Sequence, residues 1–439
     1  MLPAGCQTGW RQTGRRQTGL AARAAGGHDR AGMQRQVQTP SAGLPATPDF
    51  VRLWSVGAIS NVLRWLEVLA AALFTLDLTG SELAVAAVVA ARSLPLVFMG
   101  AFAGVLADAI DRKLIVVGGM ALSAASAGVV AALAWAGLLQ PWHLFAASLA
   151  SGLVYGTEMS ARRRMVGESV TPPLMARAIA LDSLAGSASR AIGPLIGGAA
   201  YQFLGIAGAF TGSAILSVAA AALAMRVRHV QATRKLSVAA GLSDLAEALA
   251  QVRAAPVLLA LLGGTVAMNL FGFAYSSLMA PLGRDVFAAS DTLVGVLAAA
   301  EPAGATLGGI AVAAFGAPPG KPIWLLLAGA EIFLAVMMAI PLAPWFWPAC
   351  LLLFAGGLGI AVYSNVQVTI ALTESPPAMR SRIMGLLTMA VGTWPFGMLL
   401  AGWLAGRIGP LWALCALGTA GVLWVAAVGI RYRAAMRPA

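Results

Sequence analysis

From Phe50 onward the chain is a succession of apolar runs separated by short polar breaks. A run of about 20 apolar residues spans the hydrocarbon of a bilayer as a helix. No water satisfies backbone N–H and C=O groups there, so only helices and closed barrels cross it. A barrel reads as segments of about ten residues with alternating polarity. The runs here are longer and do not alternate, so the chain reads as an all-α integral membrane protein. Composition agrees: a soluble domain is roughly 45–50% apolar and about 25% charged. These 439 residues are 59% hydrophobic and 10% charged, with a mean hydropathy of +0.82.

Twelve spans are expected, at roughly 52–76, 82–106, 114–137, 142–165, 176–203, 207–227, 256–280, 290–314, 322–341, 345–370, 380–405 and 410–430. The loop at 228–254 is the long one, and 242–249 within it reads as an amphipathic helix. The chain therefore divides into a six-helix bundle at 50–228, a cytoplasmic linker at 229–255, a second six-helix bundle at 256–433 and a short tail at 434–439. Residues 1–49 differ from all of this. Gln-Thr-Gly recurs at 7–9, 12–14 and 17–19 among scattered arginines, without the apolar core of a secretory signal. The segment reads as a disordered basic tail, with Met33 as an alternative start of the natural chain.

A net charge of +12 raises the question of nucleic acid. The distribution argues for a membrane instead. One side receives Arg112, Lys113, Arg162, Arg163, Arg164, the linker, Lys321, Arg380, Arg382 and the C-terminal arginines. The other receives Arg284 and Arg407. Basic loops stay in the cytoplasm, which places both termini there.

An offset of 204 residues superposes Gly100 on Gly304, Gly104 on Gly308, Gly152 on Gly356, Pro172-Pro173 on Pro376-Pro377, Gly193 on Gly397 and Gly198 on Gly402. This is the signature of a parallel duplication, a plan in which the substrate site lies between the halves near the membrane midplane.

Ionisable residues within spans are costly and default to function. Span 1 carries Asn61, Arg64 and Glu67 on one face; Arg92 lies in span 2, Glu158 in span 4, Asp182 and Arg190 in span 5, Glu301 in span 8 and Glu331 in span 9. Burial raises a carboxyl pKa and a nearby arginine lowers it, so an acid whose partner changes during a cycle binds and releases a proton. Glu67, Glu301 and Asp182 are the proton-carrying candidates. Arg64, Arg92 and Arg190 suit either an anionic ligand or internal pairing with Glu67, Glu158 and Asp182, with Arg64–Glu67 as the local pair. Glu301 has no local partner in the sequence. Asn269, Tyr275, Tyr363 and Asn365 join Asn61 and the three arginines as cavity candidates, with Tyr155, Gln367 and Trp394 of similar character. Gly193, Pro194, Gly197 and Gly198 form a close-packing, kinked stretch.

Cys6, Cys350, Cys415, His28, His143 and His229 lack metal-ligand spacing. No nucleotide-binding loop, zinc-protease motif or nucleophile elbow occurs. Neither a metal, a cofactor nor an enzymatic reaction is expected, and an ion gradient is left as the energy source.

The stretch from Gly104 to Lys113 resembles the loop between helices 2 and 3 of the major facilitator superfamily, G-x-L-A-D-R-x-G-R-K. Gly104, Leu106, Ala107, Asp108, Arg112 and Lys113 match; Ala109 replaces a basic residue and Asp111 a glycine. The Asp111-Arg112 ending, Gly193-Pro194 and the Gly397–Gly402 region are similar to the enterobactin-exporter-like branch. The resemblance covers 50–433. It implies a monomeric transporter of the bacterial inner membrane, gated at Gly104, Asp108, Arg112 and Lys113. Its cargo would be a small amphipathic or anionic molecule, a siderophore or drug, exported in exchange for protons by alternating access. It places Glu331 on a peripheral helix. Uptake of a small metabolite by the same fold is the first alternative, and a non-transporting membrane receptor, sensor or embedded enzyme the second.

Overall fold

A computed structural model describes residues 47–95, 111–228, 252–253, 255–316, 318–376 and 379–435, all within one compact unit. The N-terminal tail, most of the linker, the latter part of span 2 and the gating residues Gly104 and Asp108 lie outside the described residues.

The described elements are helical. The first half holds α1 (Pro48–Thr79), α2 (Glu82–Ala91), α3 (Arg112–Trp135), α4 (Pro141–Glu168) and α5 (Pro172–Met225). The second holds α6 (Pro256–Val286), α7 (Asp291–Phe315), α8 (Pro322–Leu342), α9 (Phe346–Thr373), α10 (Arg382–Ile408) and α11 (Pro410–Ala435). Local chemistry sets these ends. Proline opens α1, α4, α5, α6 and α8, where its missing N–H costs nothing. Gly80 ends α1 at φ 60°, the left-handed position glycine favours. The Ser81 hydroxyl caps α2, and the Asp111 carboxylate caps α3 by accepting the Lys113 N–H at 2.8 Å. Capping explains what Asp111 does in place of glycine.

Nine helices among the described residues are long and apolar enough to cross a membrane. One of them, α5, is 54 residues long and breaks at Gly205, with φ 64° and ψ −178°. The chain reverses there. Leu181 and Arg226 both meet the start of α1, through the Trp54 indole and the Arg52 guanidinium, whereas Tyr201 meets its end at Asp77. Expected spans 5 and 6 are thus the two arms of α5. A count of twelve also requires α4, which is less apolar than these nine, and a continuation of α2 into residues outside the described set.

Three apolar cores organise the bundle. One fills the second half around Leu258, Phe333 and Leu353, and two fill the first half. A further cluster joins the halves, packing Leu69, Leu73 and Val85 against Ala280, Val294 and Met398. Glycines let the backbones meet. A Cβ at Gly193 would strike Val62 and Trp65 of α1, and one at Gly397 would strike Asn269 and Leu270 of α6. A Cβ at Gly198 would strike Asp291 and Gly295 of α7, and one at Gly402 would strike Glu82 and Ala86 of α2. The 204-residue offset therefore pairs glycines with equivalent contacts: the first pair inside each half, the second between halves.

Overpacking a close contact costs about 1–3 kcal/mol. Gly198→Val should lower the thermal midpoint in detergent by several degrees. Gly186→Ala, where a Cβ meets nothing within 4 Å, should leave it unchanged or raise it. Equal effects of the two substitutions would contradict a backbone-tight interface.

Candidate functional site: a charged cavity between the halves

A narrow cavity lies between α1, α2, α5, α6, α7 and α10. Arg64, Trp65, Arg190, Tyr275, Trp394 and Met398 are among its lining residues. Behind two of these lining side chains, Arg190 and Tyr275, lies a buried acid. Glu301 is fully buried, and its Oε2 accepts from Arg190 Nη2 at 3.0 Å and from the Tyr275 hydroxyl at 2.6 Å. Oε1 has no hydrogen-bond partner among the described residues. Glu301 and Tyr275 belong to the second half and Arg190 to the first. The acid that lacks a local partner in sequence has one across the interface.

Irregular backbone places the aromatic partners. α6 leaves α geometry at Met268–Gly272, a π-helical turn, and Phe273–Leu278, a 3₁₀ stretch. Such departures often mark functional sites. This one swings Tyr275 onto Glu301. The Phe273 carbonyl accepts the Trp394 indole N–H at 3.0 Å. Trp394 itself follows a break in α10 at Gly392–Thr393, just before Pro395. Trp65 stands 6.5 Å from Trp394, with the Arg190 guanidinium 5.8 Å from its ring centre.

Two further charged groups lie inside the first half. Glu67 pairs with Arg92 at 2.9 Å and accepts the Ser213 hydroxyl. This corrects the expected Arg64–Glu67 pair: the i, i+3 spacing puts both on one face, but Arg92 and Ser213 from neighbouring helices reach the carboxylate. Arg64 instead lies flat over Tyr155, with Cζ 3.6 Å from the ring centre. Asp182 pairs with Arg162, whose Nε is 3.9 Å from Glu158; Arg163 Nε is 3.7 Å from Asp182. Arg162 is buried against Gly57 of α1, where a side chain would collide with the guanidinium. Arg162 is thus a core ion-pair partner rather than a surface anchor.

The remaining candidates sit elsewhere. The Asn61, Asn269 and Asn365 amides each donate to a carbonyl one turn back on their own helix, and Asn365 is exposed. The Tyr363 hydroxyl accepts from Gln367 at 2.8 Å, away from the cavity. Gly193 and Gly197 pack on α1 and Gly198 on α7, while Pro194 also lines the cavity. Arg112 Nη1 bonds Glu168 at 2.6 Å.

Sequence reading misses Trp65, Ser213, Phe273 and Met398, and also a polar junction at the end of the bundle opposite Pro48. There Arg284 reaches Asp77 at 3.4 Å and pairs with Asp291, and the Tyr201 hydroxyl donates to Asp77 at 2.6 Å. The Thr292 N–H donates to Gln202 at 3.0 Å. The one available signal is a tryptophan beside a mid-span arginine. No cluster of three metal-ligating side chains occurs among the described residues.

Two packed helical halves with a cavity between them form a fold shared with solved membrane transporters. Three solved structures share the fold. The nucleoside transporter NupG has a TM-score of 0.66 at 15% identity, covering 88% of this chain and 99% of its own. A POT family transporter in complex with 5-aminolevulinic acid has a TM-score of 0.67 at 11% identity, covering 88% and 96%. A bacterial homolog of the human lysosomal transporter Spinster, inward-facing and unoccupied, has a TM-score of 0.64 at 16% identity, covering 88% and 94%. No curated protein sequence is significantly similar. Residues 41–439 match the transmembrane secretion effector family model, and the chain belongs to that family.

Removing one partner of a fully buried ion pair costs about 3–5 kcal/mol. Arg190→Ala should cost less, because Arg190 is one-third exposed and Tyr275 remains on the carboxylate. Adding Glu301→Gln should recover most of the loss. Additive losses in detergent unfolding would mean that the two side chains are not coupled.

Proposed function

We propose that this chain is a proton-coupled secondary transporter that exports a small amphipathic or anionic molecule, a siderophore or drug, by alternating access. The observation that carries the reading is the contact of Glu301 with Arg190 across the halves. An ionised carboxylate taken out of water needs a partner. Ionised Glu301 therefore favours the arrangement that keeps Arg190 against it. Protonation removes that requirement, and the halves can separate at this point with the acid neutral. Proton occupancy then biases which face of the cavity opens, and Tyr275 holds the carboxyl oriented in either state.

Further observations support the reading. The Asp77–Arg284 contact closes the end opposite Pro48 with partly exposed side chains, 42% and 32% exposed. Exposed ion pairs contribute about 0–1 kcal/mol, so this closure is reversible at small cost. The surplus of basic residues at the other end favours a cytoplasmic location for it and for both termini. The family description, secretion, favours outward movement. In this reading Gly104, Asp108, Arg112 and Lys113 form the cytoplasmic gate of a bacterial inner-membrane protein with twelve spans.

Reconstituted vesicles carrying only a pH gradient should drive flux of a cargo identified by growth and accumulation screens of a deletion strain against siderophores, dyes and antibiotics. Glu301→Gln should abolish pH-driven flux while the protein still folds and inserts; pH-driven flux at the wild-type rate would remove Glu301 from the coupling. Asp108→Ala should slow transport several-fold without altering cargo preference, and a changed preference would contradict a gating role.

A further inference from the structure

Three arginines face the central cavity: Arg64, Arg92 and Arg190. Two are committed to carboxylates, Arg92 to Glu67 at 2.9 Å and Arg190 to Glu301 at 3.0 Å. Arg64 has no carboxylate within ion-pair distance and no side-chain hydrogen bond among the described residues, yet only 8% of it is exposed. Its guanidinium nitrogens are not sealed off and have no protein acceptor among the described residues, and an anion entering the cavity is the partner its fork of donors fits. Tyr155 holds it from one side, with Cζ 3.6 Å from the ring centre, and the Trp65 ring lies 5.6 Å away. Stacking stabilises the cation and fixes its plane without using its N–H groups.

Arg64 lines two spaces at once. One is the central cavity, whose neighbouring wall is aromatic and thioether: Trp65, Phe273, Trp394, Met279 and Met398. The other is a smaller polar cavity inside the first half, shared with Ser60, Ser123, Tyr155, Glu158 and Ser217. Glu158, which lines that space, is paired with Arg162 and not with Arg64: its Oε1 is 3.9 Å from Arg162 Nε and makes no hydrogen bond.

We propose that Arg64 is the receptor for the anionic group of the cargo, a carboxylate, sulfonate or phosphate ester, whose aromatic or apolar body lies against the cavity wall formed by Trp65, Trp394 and Met398. The inference deepens the transporter reading and rests on it only for what happens after binding. The cargo class is an aromatic organic anion rather than a cationic dye. Glu301, with Arg190 as its counter-ion, is left free to carry the proton.

The test uses three probes of one shape, 2-naphthoate, uncharged 2-naphthamide and cationic 2-naphthylmethylammonium, with the full-length protein in lipid nanodiscs. Titration calorimetry of the wild type should show naphthoate binding at least tenfold tighter than the amide, and the cation weakest. Arg64→Gln should reduce the naphthoate-to-amide ratio to within about twofold while leaving amide affinity in place. Arg64→Lys keeps the charge and loses the flat stacking surface; it should retain a reduced preference, and it replaces the glutamine variant if that one does not fold. Binding of the three probes alike, binding of none, or an undiminished naphthoate preference in both variants would overturn the assignment. Selective binding without any flux in vesicles would sink the transporter reading and leave the anion site standing. Flux without anion selectivity would do the reverse.

Discussion

The arrangement turns on a carboxylate that cannot be left alone. Glu301 has no exposed surface and sits in the middle of a helix long and apolar enough to cross a membrane. Its charge must be balanced by something close, and α7 itself offers nothing: its neighbours are Ala298, Ala299, Ala300 and Pro302. The balance comes from Arg190 of the other half and the hydroxyl of Tyr275. To deliver that hydroxyl, α6 gives up regular helical geometry for two turns, and the Trp394 indole takes up one of its carbonyls. One buried charge thus links an irregular stretch of helix, an aromatic placement and a contact between halves.

The halves approach this closely because their interface is built from backbone. Gly198 meets the Asp291 carbonyl and Gly295; Gly402 meets Glu82 and Ala86. Lipid supplies little hydrophobic drive between helices, so close van der Waals contact between small residues takes its place. Such contacts contain no directional polar bond that must break when helices slide or part. The equivalence of Gly193 with Gly397 supports a duplicated unit, since the same offset also carries Trp65 onto Asn269, the residues they touch; Gly198 and Gly402 share the kind of contact, each meeting a helix of the other half.

The helical membrane fold is legible in the sequence because it rests on composition and run length, which survive without knowledge of packing. The close-packing role of the Gly193–Gly198 stretch is equally legible, since missing side chains have few other uses. Charge pairing is not. Glu67 and Arg64 share a helix face, and spacing alone joins them, but Arg92 arrives from a helix whose angle the sequence does not state. Asn269 and Asn365 look polar enough for a cavity, yet an amide in a helix can satisfy itself on the carbonyl four residues back. Trp65 is unremarked beside Arg64 because a tryptophan within a span reads as packing. Only the facing helices reveal that Arg64, Arg190 and Trp394 converge on it.

The three acids offered as proton carriers differ in one respect that decides between them. Glu67 is held by Arg92 and Ser213, and Asp182 by Arg162, all in the first half. When that half moves as a body, each acid moves with its partners and its surroundings stay constant. A proton bound there is not felt by the opening of the cavity. Glu301 alone among the three is paired across the divide, so relative motion of the halves changes its environment directly. For Glu67 or Asp182 to couple protons to movement, the first half would have to deform internally, against cores packed around Leu63, Phe210 and Met165. Packed interiors resist such deformation. Under the proposed coupling by rigid rocking, the acid that bridges the halves is the one suited to carry the proton, and the two internal pairs would neutralise charge within a lipid-embedded bundle.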